Sequence, residues 1–274
     1  MKTEKTIKTN YHTHTYRCKH AQGDIIDYAA LAFQRGMTTL GITEHTPLPD
    51  GRWNSVRMDM DQLDSYDNAF ITAEKAYPDL EIIKGMECDW IPEYKNFYID
   101  EFMGKRNFCY LIGSVHWFRS EGEWVFSYTP QAFGKAADYA DTLIEMIESE
   151  TFDFIGHPDL FALFSRKWNA ETKAVSRAIC EAAKTYKIPL EINGYGLRKS
   201  KIETAEGIRH AYPYEKFWEI ASEYEIDVIC NSDAHLPEDV DQSIDLCMEI
   251  AERNYLSIAD FRPGRCGKEI LSRK

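Results

Sequence analysis

Seven short apolar runs recur along the chain, each followed by a longer stretch, and this alternation constrains the fold more than any other feature. The runs are "IKTNYHTH", "TTLGITEH", "LEIIKGMECDWI", "CYLIGSVHW", "FDFIGHPD", "IPLEINGYG" and "IDVICNSDAH". Between them lie amphipathic segments at 24–35, 60–77, 130–149, 170–186, 214–224 and 238–253, with a shorter and ambiguous one at 95–107. Strands alternating with helices of this length specify βα units and a parallel sheet. Seven units in 274 residues, with no Pro/Gly/Ser-rich linker among them, predict one closed α/β barrel over 1–274 rather than two open sheets. Boundary signals agree: Gly23-Asp24 offers an N-cap ahead of "IIDYAALAFQRG", and Gly36 stands where a C-cap glycine belongs. The loops 47–60 and 158–169 follow strand C-termini, where barrel enzymes carry function.

The histidines fall on that frame in a pattern. His12 and His14 end the first strand, His20 lies in the loop after it, and His45, His116, His157 and His235 end the second, fourth, fifth and seventh. The eighth, His210, precedes a late helix and reads as a surface or capping residue. Strand residues two apart share a face, so His12 and His14 point together. Asp233 and His235 in "NSDAH" repeat that spacing, and Glu87 shares its face with Gly85 and Asp89. One strand-end histidine is usually a satisfied structural residue; seven at ends that converge on one barrel mouth are a ligand set. Neutral imidazoles with carboxylate oxygens suit zinc, manganese or iron(II), not calcium. The candidates His12, His14, His20, His45, Glu87, His116, His157, Asp233 and His235 exceed what one ion uses, so two or three divalent ions are implied. Glu44 faces away from His45 by the same alternation and is expected to support the site or carry a structural charge. Cys18 lies nearby, but as CxH it lacks a second cysteine and is not counted.

A net charge of −13 repels nucleic acid and anionic lipid at long range, and no Lys/Arg-rich stripe with interleaved aromatics is present to track a backbone. Any anion this chain handles must meet a local reversal of that field, which bound cations supply. No run of about 18 apolar residues predicts a membrane span. The N-terminal "MKTEKTIK" lacks the apolar stretch of a signal peptide. The cysteines at 18, 88, 109, 180, 230, 247 and 266 include no CxxC pair, so mostly reduced thiols in the cytoplasm are expected.

The ordered set HTH, a histidine in the next loop, EH, E, H, "GHPD" and "NSDAH" resembles the polymerase and histidinol phosphatase (PHP) superfamily from His12 to His235. The resemblance implies a distorted seven-stranded, TIM-like (β/α)7 barrel with a trinuclear metal centre at the C-terminal strand ends. By position it implies that His12, His14, Glu87 and Asp233 hold one ion. Glu87, bridging, would join His116 and His157 on a second, and His20, His45 and His235 would hold a third. Within the superfamily, "EHTPLP", "GHPDLF", "EINGYGLRK" and "NSDAH" look like the histidinol-phosphate phosphatases of bacterial histidine synthesis. That implies a phosphomonoesterase acting on a small phosphate ester, L-histidinol phosphate, by attack of a hydroxide shared between metals. Asp233 and His235 are the candidates for passing a proton to the leaving group. Arg166 in "FSRKW" and Arg198 in "YGLRK" are expected to clamp the phosphate, with Arg57 a third, and Trp117, Phe161 and Tyr195 to lie near the mouth. Two departures touch that mouth: "YRCKHA" replaces a more usual proline- and glycine-bearing loop, and "NGYG" stands where the family more often has a small Thr or Ser. The alternatives are a nucleotide phosphoesterase or nuclease of the same superfamily and a metal-dependent scaffold. Retention of all nine ligand positions argues for catalysis over the scaffold. Oligomeric state has no signal in the sequence.

Overall fold

The computed structural model describes residues 8–263; the N-terminal "MKTEKTI" and Cys266 lie outside them. In chain order the strands are β1 Thr9–Asn10, β2 Thr39–His45, β3 Glu81–Asp89, β4 Tyr110–Ser114, β5 Trp117–Ser120, β6 Glu123–Phe126, β7 Phe154–Ile155, β8 Leu190–Asn193, β9 Ile202–Thr204, β10 Gly207–Arg209, β11 Asp227–Asn231 and β12 Ser257–Ile258. One parallel sheet runs in the order β1-β2-β3-β4-β7-β8-β11-β12, and β5–β6 and β9–β10 form separate antiparallel pairs. All seven apolar runs contribute a strand to that sheet. The sheet nevertheless has eight strands rather than seven, because β12 pairs with the start of β11. Its two residues are both exposed, so no apolar run announces it. The sheet curls so that the chain just beyond β1 meets the chain just beyond β11 at the C-terminal mouth: Thr13 and Ala234 form an isolated parallel bridge, and the His14 N–H donates to the Ala234 carbonyl at 2.9 Å.

The helices Ile25–Gln34, Leu63–Ala76, Ala136–Glu148, Ala170–Tyr186, Glu215–Ala221 and Ile244–Arg253 fall inside the six amphipathic segments. Asp24 caps the first of them in a capping box with Asp27, and Gly36 follows it at φ 71°. The ambiguous 95–107 segment is also helical: a turn at Lys95–Phe97 runs into a π-helix at Tyr98–Lys105 that buries Tyr98, Ile99, Phe102 and Met103.

Alternation along each strand divides the apolar residues between two cores. Leu40, Ile42, Ile82, Met86, Leu111, Leu190, Ile192 and Val228 pack outward with the helices. Tyr11, Ile83, Tyr110, Ile112, Phe154 and Ile229 fill the inside of the curl, with Phe261 against them. Both faces are thus covered, which is why these strands read as near-continuous apolar runs. The inner core sets a local requirement at Gly85, where a Cβ would stand 2.4 Å from Tyr110 Cζ and 2.7 Å from Thr43 Cγ2. The Tyr110 hydroxyl donates to the Tyr11 carbonyl at 2.7 Å, so this ring closes the floor beneath the mouth. Among the described cysteines, Cys18, Cys88, Cys180, Cys230 and Cys247 are free and buried, and Cys109 is disulfide-bonded.

Candidate metal centre

Above that floor the inward rows change from apolar to ligand-bearing side chains. Parallel pairing sets His45 opposite Glu87 and Asp89 opposite Ser114, so strand ends reach the mouth at one height. The buried Glu87 carboxylate meets five imidazoles: His45 Nδ1 at 2.7 Å, His157 Nε2 at 3.1 Å, His14 Nε2 at 3.3 Å, His12 Nε2 at 3.4 Å and His116 Nε2 at 3.7 Å. Asp233 Oδ1 faces His14 Nε2 at 3.2 Å, His235 Nδ1 at 3.5 Å and His12 Nε2 at 3.6 Å. Two donors about 2.1 Å from one tetrahedral ion lie about 3.4 Å apart, and these separations bracket that value. His157 and Asp233 carry φ of 32° and 50°, a left-handed backbone that non-glycine residues keep mainly under functional constraint.

Three observations fit this cluster to divalent cations. His12 Nε2, both ring nitrogens of His14, His157 Nδ1, Glu87 Oε2 and Asp233 Oδ1 are buried without a hydrogen-bond partner, whereas buried polar atoms are nearly always paired. His20 and His235 present their Nε2 atoms to each other at 3.1 Å while each Nδ1 lies against a carbonyl, that of Cys18 for His20 and of Asp233 for His235. Rings that donate through Nδ1 leave lone pairs on Nε2, and two lone pairs at that distance call for a cation between them. Burial, followed by neighbouring imidazoles, pushes His20 down to about 4 and His45 and His235 well below the usual range, so these rings stay neutral and ligating. Burial acts to raise the Glu87 and Asp233 carboxyls, but both are held well below the usual carboxylate range by facing rings, of which His12 carries charge: burial opposes it, yet Glu191, Asp233 and Glu87 hold it well above the usual imidazole value. A neighbouring trio, His14, Cys18 and Glu44, also brings its ligand atoms within 4.8 Å. There burial drives the Cys18 thiol well above its ordinary value, and Glu44 is engaged by the Thr15 N–H and hydroxyl.

Carboxylates behind the cluster orient its rings. Glu191, which the sequence reading passed over, accepts from Asn193 Nδ2 at 2.8 Å, Asn231 Nδ2 at 2.9 Å and the His157 N–H at 3.1 Å, and faces His12 Nδ1 at 2.8 Å. Its signal was present: a charged residue inside the apolar strand run "IPLEINGYG". Asp89 does the same for His116, taking its N–H at 2.7 Å and lying 3.3 Å from its Nδ1.

A cavity of about 200 Å³ opens over the cluster, walled by Trp117, Phe126, Tyr128 and Tyr195 with Arg57 and Lys199. Arg57 is committed to Asp89 Oδ2 at 2.9 Å and the Thr46 carbonyl at 2.8 Å. Of the three arginines singled out in the sequence, Arg57 alone is in this wall and the other two do not enter it. Arg198 donates to the carbonyls of Ser232 at 2.8 Å and Gln242 at 2.9 Å, behind the Asp233 turn, and the exposed Arg166 donates to the Glu203 carbonyl at 2.9 Å. Phe161 is buried in the outer core, and His210 stands outside the cluster. Lys199 was missed because the residue beside it, an arginine, is the better phosphate clamp on residue type alone.

The family model for the PHP domain matches residues 10–194. A "Probable histidinol-phosphatase" of Deinococcus radiodurans is 30% identical over 237 residues, covering 84% of this chain and 86% of its own. A protein of the same description from Schizosaccharomyces pombe is 26% identical over 257 residues, covering 84% and 81%. The crystal structure of histidinol phosphate phosphatase from Lactococcus lactis, complexed with zinc, L-histidinol and phosphate, aligns with a TM-score of 0.73 at 16% identity. It covers 95% of this chain and 99% of that one, and at this identity the likeness is one of fold.

Proposed function

The chain belongs to the PHP domain family, and on that premise we propose that it is a metal-dependent phosphomonoesterase hydrolysing L-histidinol phosphate to L-histidinol and phosphate. The observation that carries this reading is a single buried carboxylate, Glu87, facing five imidazoles beneath a cavity with cationic and aromatic walls. The names of the relatives, and the histidinol and phosphate bound in a protein of the same fold, support the substrate. The reading takes 1–274 as one PHP-type domain in the cytoplasm; no described helix is long and apolar enough to cross a membrane.

His12, His14, Glu87, Asp233, His116, His157, His20, His45 and His235 would hold two or three ions of zinc, manganese or iron. Such ions neutralise phosphoryl oxygens and lower the pKa of a water toward about 7, so that a nucleophile exists at neutral pH. Glu87, which faces five of the rings, would serve as the shared carboxylate. Glu191 and Asp89 fix the orientation of His12 and His116, as carboxylates behind metal-bound histidines do. Asp233 and His235 line the cavity and would relay a proton taken up from solvent to the leaving alkoxide. Arg198 steadies the turn that carries Asp233 through the Ser232 carbonyl.

The test is phosphate release by protein reconstituted with manganese or zinc. The panel holds L-histidinol phosphate, sugar phosphates, a nucleoside 3′,5′-bisphosphate and short single-stranded DNA. A kcat/KM within roughly 10⁴–10⁸ M⁻¹s⁻¹ for histidinol phosphate, far above the others, is expected. Preference for the nucleotide would replace the substrate and keep the reaction class. Turnover of nothing on the panel by fully metallated protein would sink the reading.

A further inference from the structure

We propose that Lys199 is the chain's own cationic contact to the substrate phosphoryl group, held for that purpose by a cage of three tyrosines. The proposal rests on the phosphomonoesterase reading above.

It starts from "NGYGLRK", whose "NGYG" stands where the resemblance leads one to expect a small Thr or Ser. A Cβ at Gly196 would stand 2.2 Å from the Tyr212 carbonyl oxygen, so the loop lies against Tyr212 only because this position has no side chain. Asn193 anchors the loop to the cluster. Its Oδ1 accepts from the N–H groups of Tyr195 at 2.9 Å and Gly196 at 3.3 Å, while its Nδ2 donates to Asp233 Oδ2 at 3.1 Å. Tyr195 is thereby laid on His235, with centroids 4.5 Å apart and planes at 13°.

Lys199 follows one turn later, its N–H bonded to the Tyr195 carbonyl at 3.2 Å. Its ammonium lies 4.3 Å from the Tyr195 centroid, 4.4 Å from that of Tyr128 and 5.6 Å from that of Tyr212. It donates to the Tyr128 hydroxyl at 3.2 Å, which in turn lies 3.1 Å from the Tyr212 hydroxyl. An ammonium carries three donors, and the ring faces around it attract charge without accepting a directed hydrogen bond in the plane of a lone pair. Among the described residues Lys199 makes no ion pair, its side-chain hydrogen bond going to the Tyr128 hydroxyl, and it shares the cavity with Asp233 and His235. Arg57, the other cation of that wall, is already paired with Asp89. A caged, unpaired cation over a metal cluster is built to receive an anion, and its rotamer freedom is spent in advance by the tyrosines. In this chain the contact falls to Lys199 because Arg198 and Arg166 are turned onto carbonyl groups.

The experiment uses the zinc-loaded full chain and the variants Lys199→Met, Lys199→Arg and Tyr128→Phe. It reads metal content, the Tm shift and Kd for inorganic phosphate, and KM and kcat for L-histidinol phosphate. Lys199→Met should keep its metal, weaken phosphate binding and raise KM by about ten- to a hundredfold, with a smaller effect on kcat. Lys199→Arg should recover much of the loss, and Tyr128→Phe should fall between. Phosphate affinity within twofold of wild type in Lys199→Met, at equal metal content, overturns the proposal. So does parallel loss of metal, which would make Lys199 structural. A wild-type protein that binds phosphate through Lys199 yet turns over no phosphate ester upholds the contact and overturns the activity.

Discussion

Glu87 and Glu191 sit on inward rows of the same sheet, both buried, and differ in what surrounds them. Glu191 is satisfied by two asparagine amides and a backbone N–H as well as His12, whereas Glu87 receives a hydrogen bond from Ser114 Oγ at 2.6 Å and otherwise faces ring nitrogens. A carboxylate already supplied with donors is placed to orient a ligand; one surrounded by ring nitrogens is placed to bind the ion itself. Glu87→Gln should therefore lose both bound metal and turnover, since a shared ligand serves two ions; near-normal activity would remove it from that role. Glu191→Gln should retain the fold and weaken metal affinity about 10–100-fold, read by titration against a coloured chelator. Equal affinities in variant and wild type would show that His12 needs no such support.

At the scale of elements, packing inside the curl is close enough that one methyl group matters. Gly85→Ala should destabilise by about 1–3 kcal/mol, because Tyr110 is pinned by its bond to Tyr11 and has nowhere to move. Urea denaturation showing no shift in midpoint would mean the ring relocates freely. Helix contacts on the outside carry charge instead. Glu215 opens the helix Glu215–Ala221 and accepts from Arg253 Nε at 2.7 Å and Asn254 Nδ2 at 3.0 Å, at the end of Ile244–Arg253. The Arg253 bond outweighs burial and holds this carboxyl below its ordinary value. A folded pKa below the unfolded one means stability present above the unfolded value and lost as pH falls through the folded one. The side chain is 40% exposed, so solvent screening limits the effect to under about 1 kcal/mol. Glu215→Gln should flatten the fall in stability below about pH 4.5; an unaltered slope would show that the pair contributes nothing.

Across the whole molecule the ligands straddle the seam of the sheet. His12 and His14 lie beyond β1 and Asp233 and His235 beyond β11, on either side of the Thr13–Ala234 bridge. Ions held between them would stitch this seam together, in a chain whose charge of −13 otherwise opposes closing carboxylates on one point. Stripping metal with a chelator should lower Tm by roughly 10 °C and speed amide exchange around residues 12–15 and 231–235, with recovery on adding zinc or manganese. A Tm unmoved by complete metal removal would mean that the ions play no part in closure.

Sequence by itself determined the βα rhythm, the helices and the histidine and carboxylate positions, because periods of two and 3.6 state which residues share a face. They do not state which distant face lies opposite. That is why β12, a two-residue exposed strand, was invisible, and why the charge of Glu191 inside an apolar run had no assignable role until Asn193, Asn231 and His12 closed around it. The cations of the cavity were decided last. Long side chains on flexible stems take their direction from partners supplied by other elements. Carbonyls of the Ser232 turn drew Arg198 away, and tyrosines from three separate segments held Lys199 at the cavity wall.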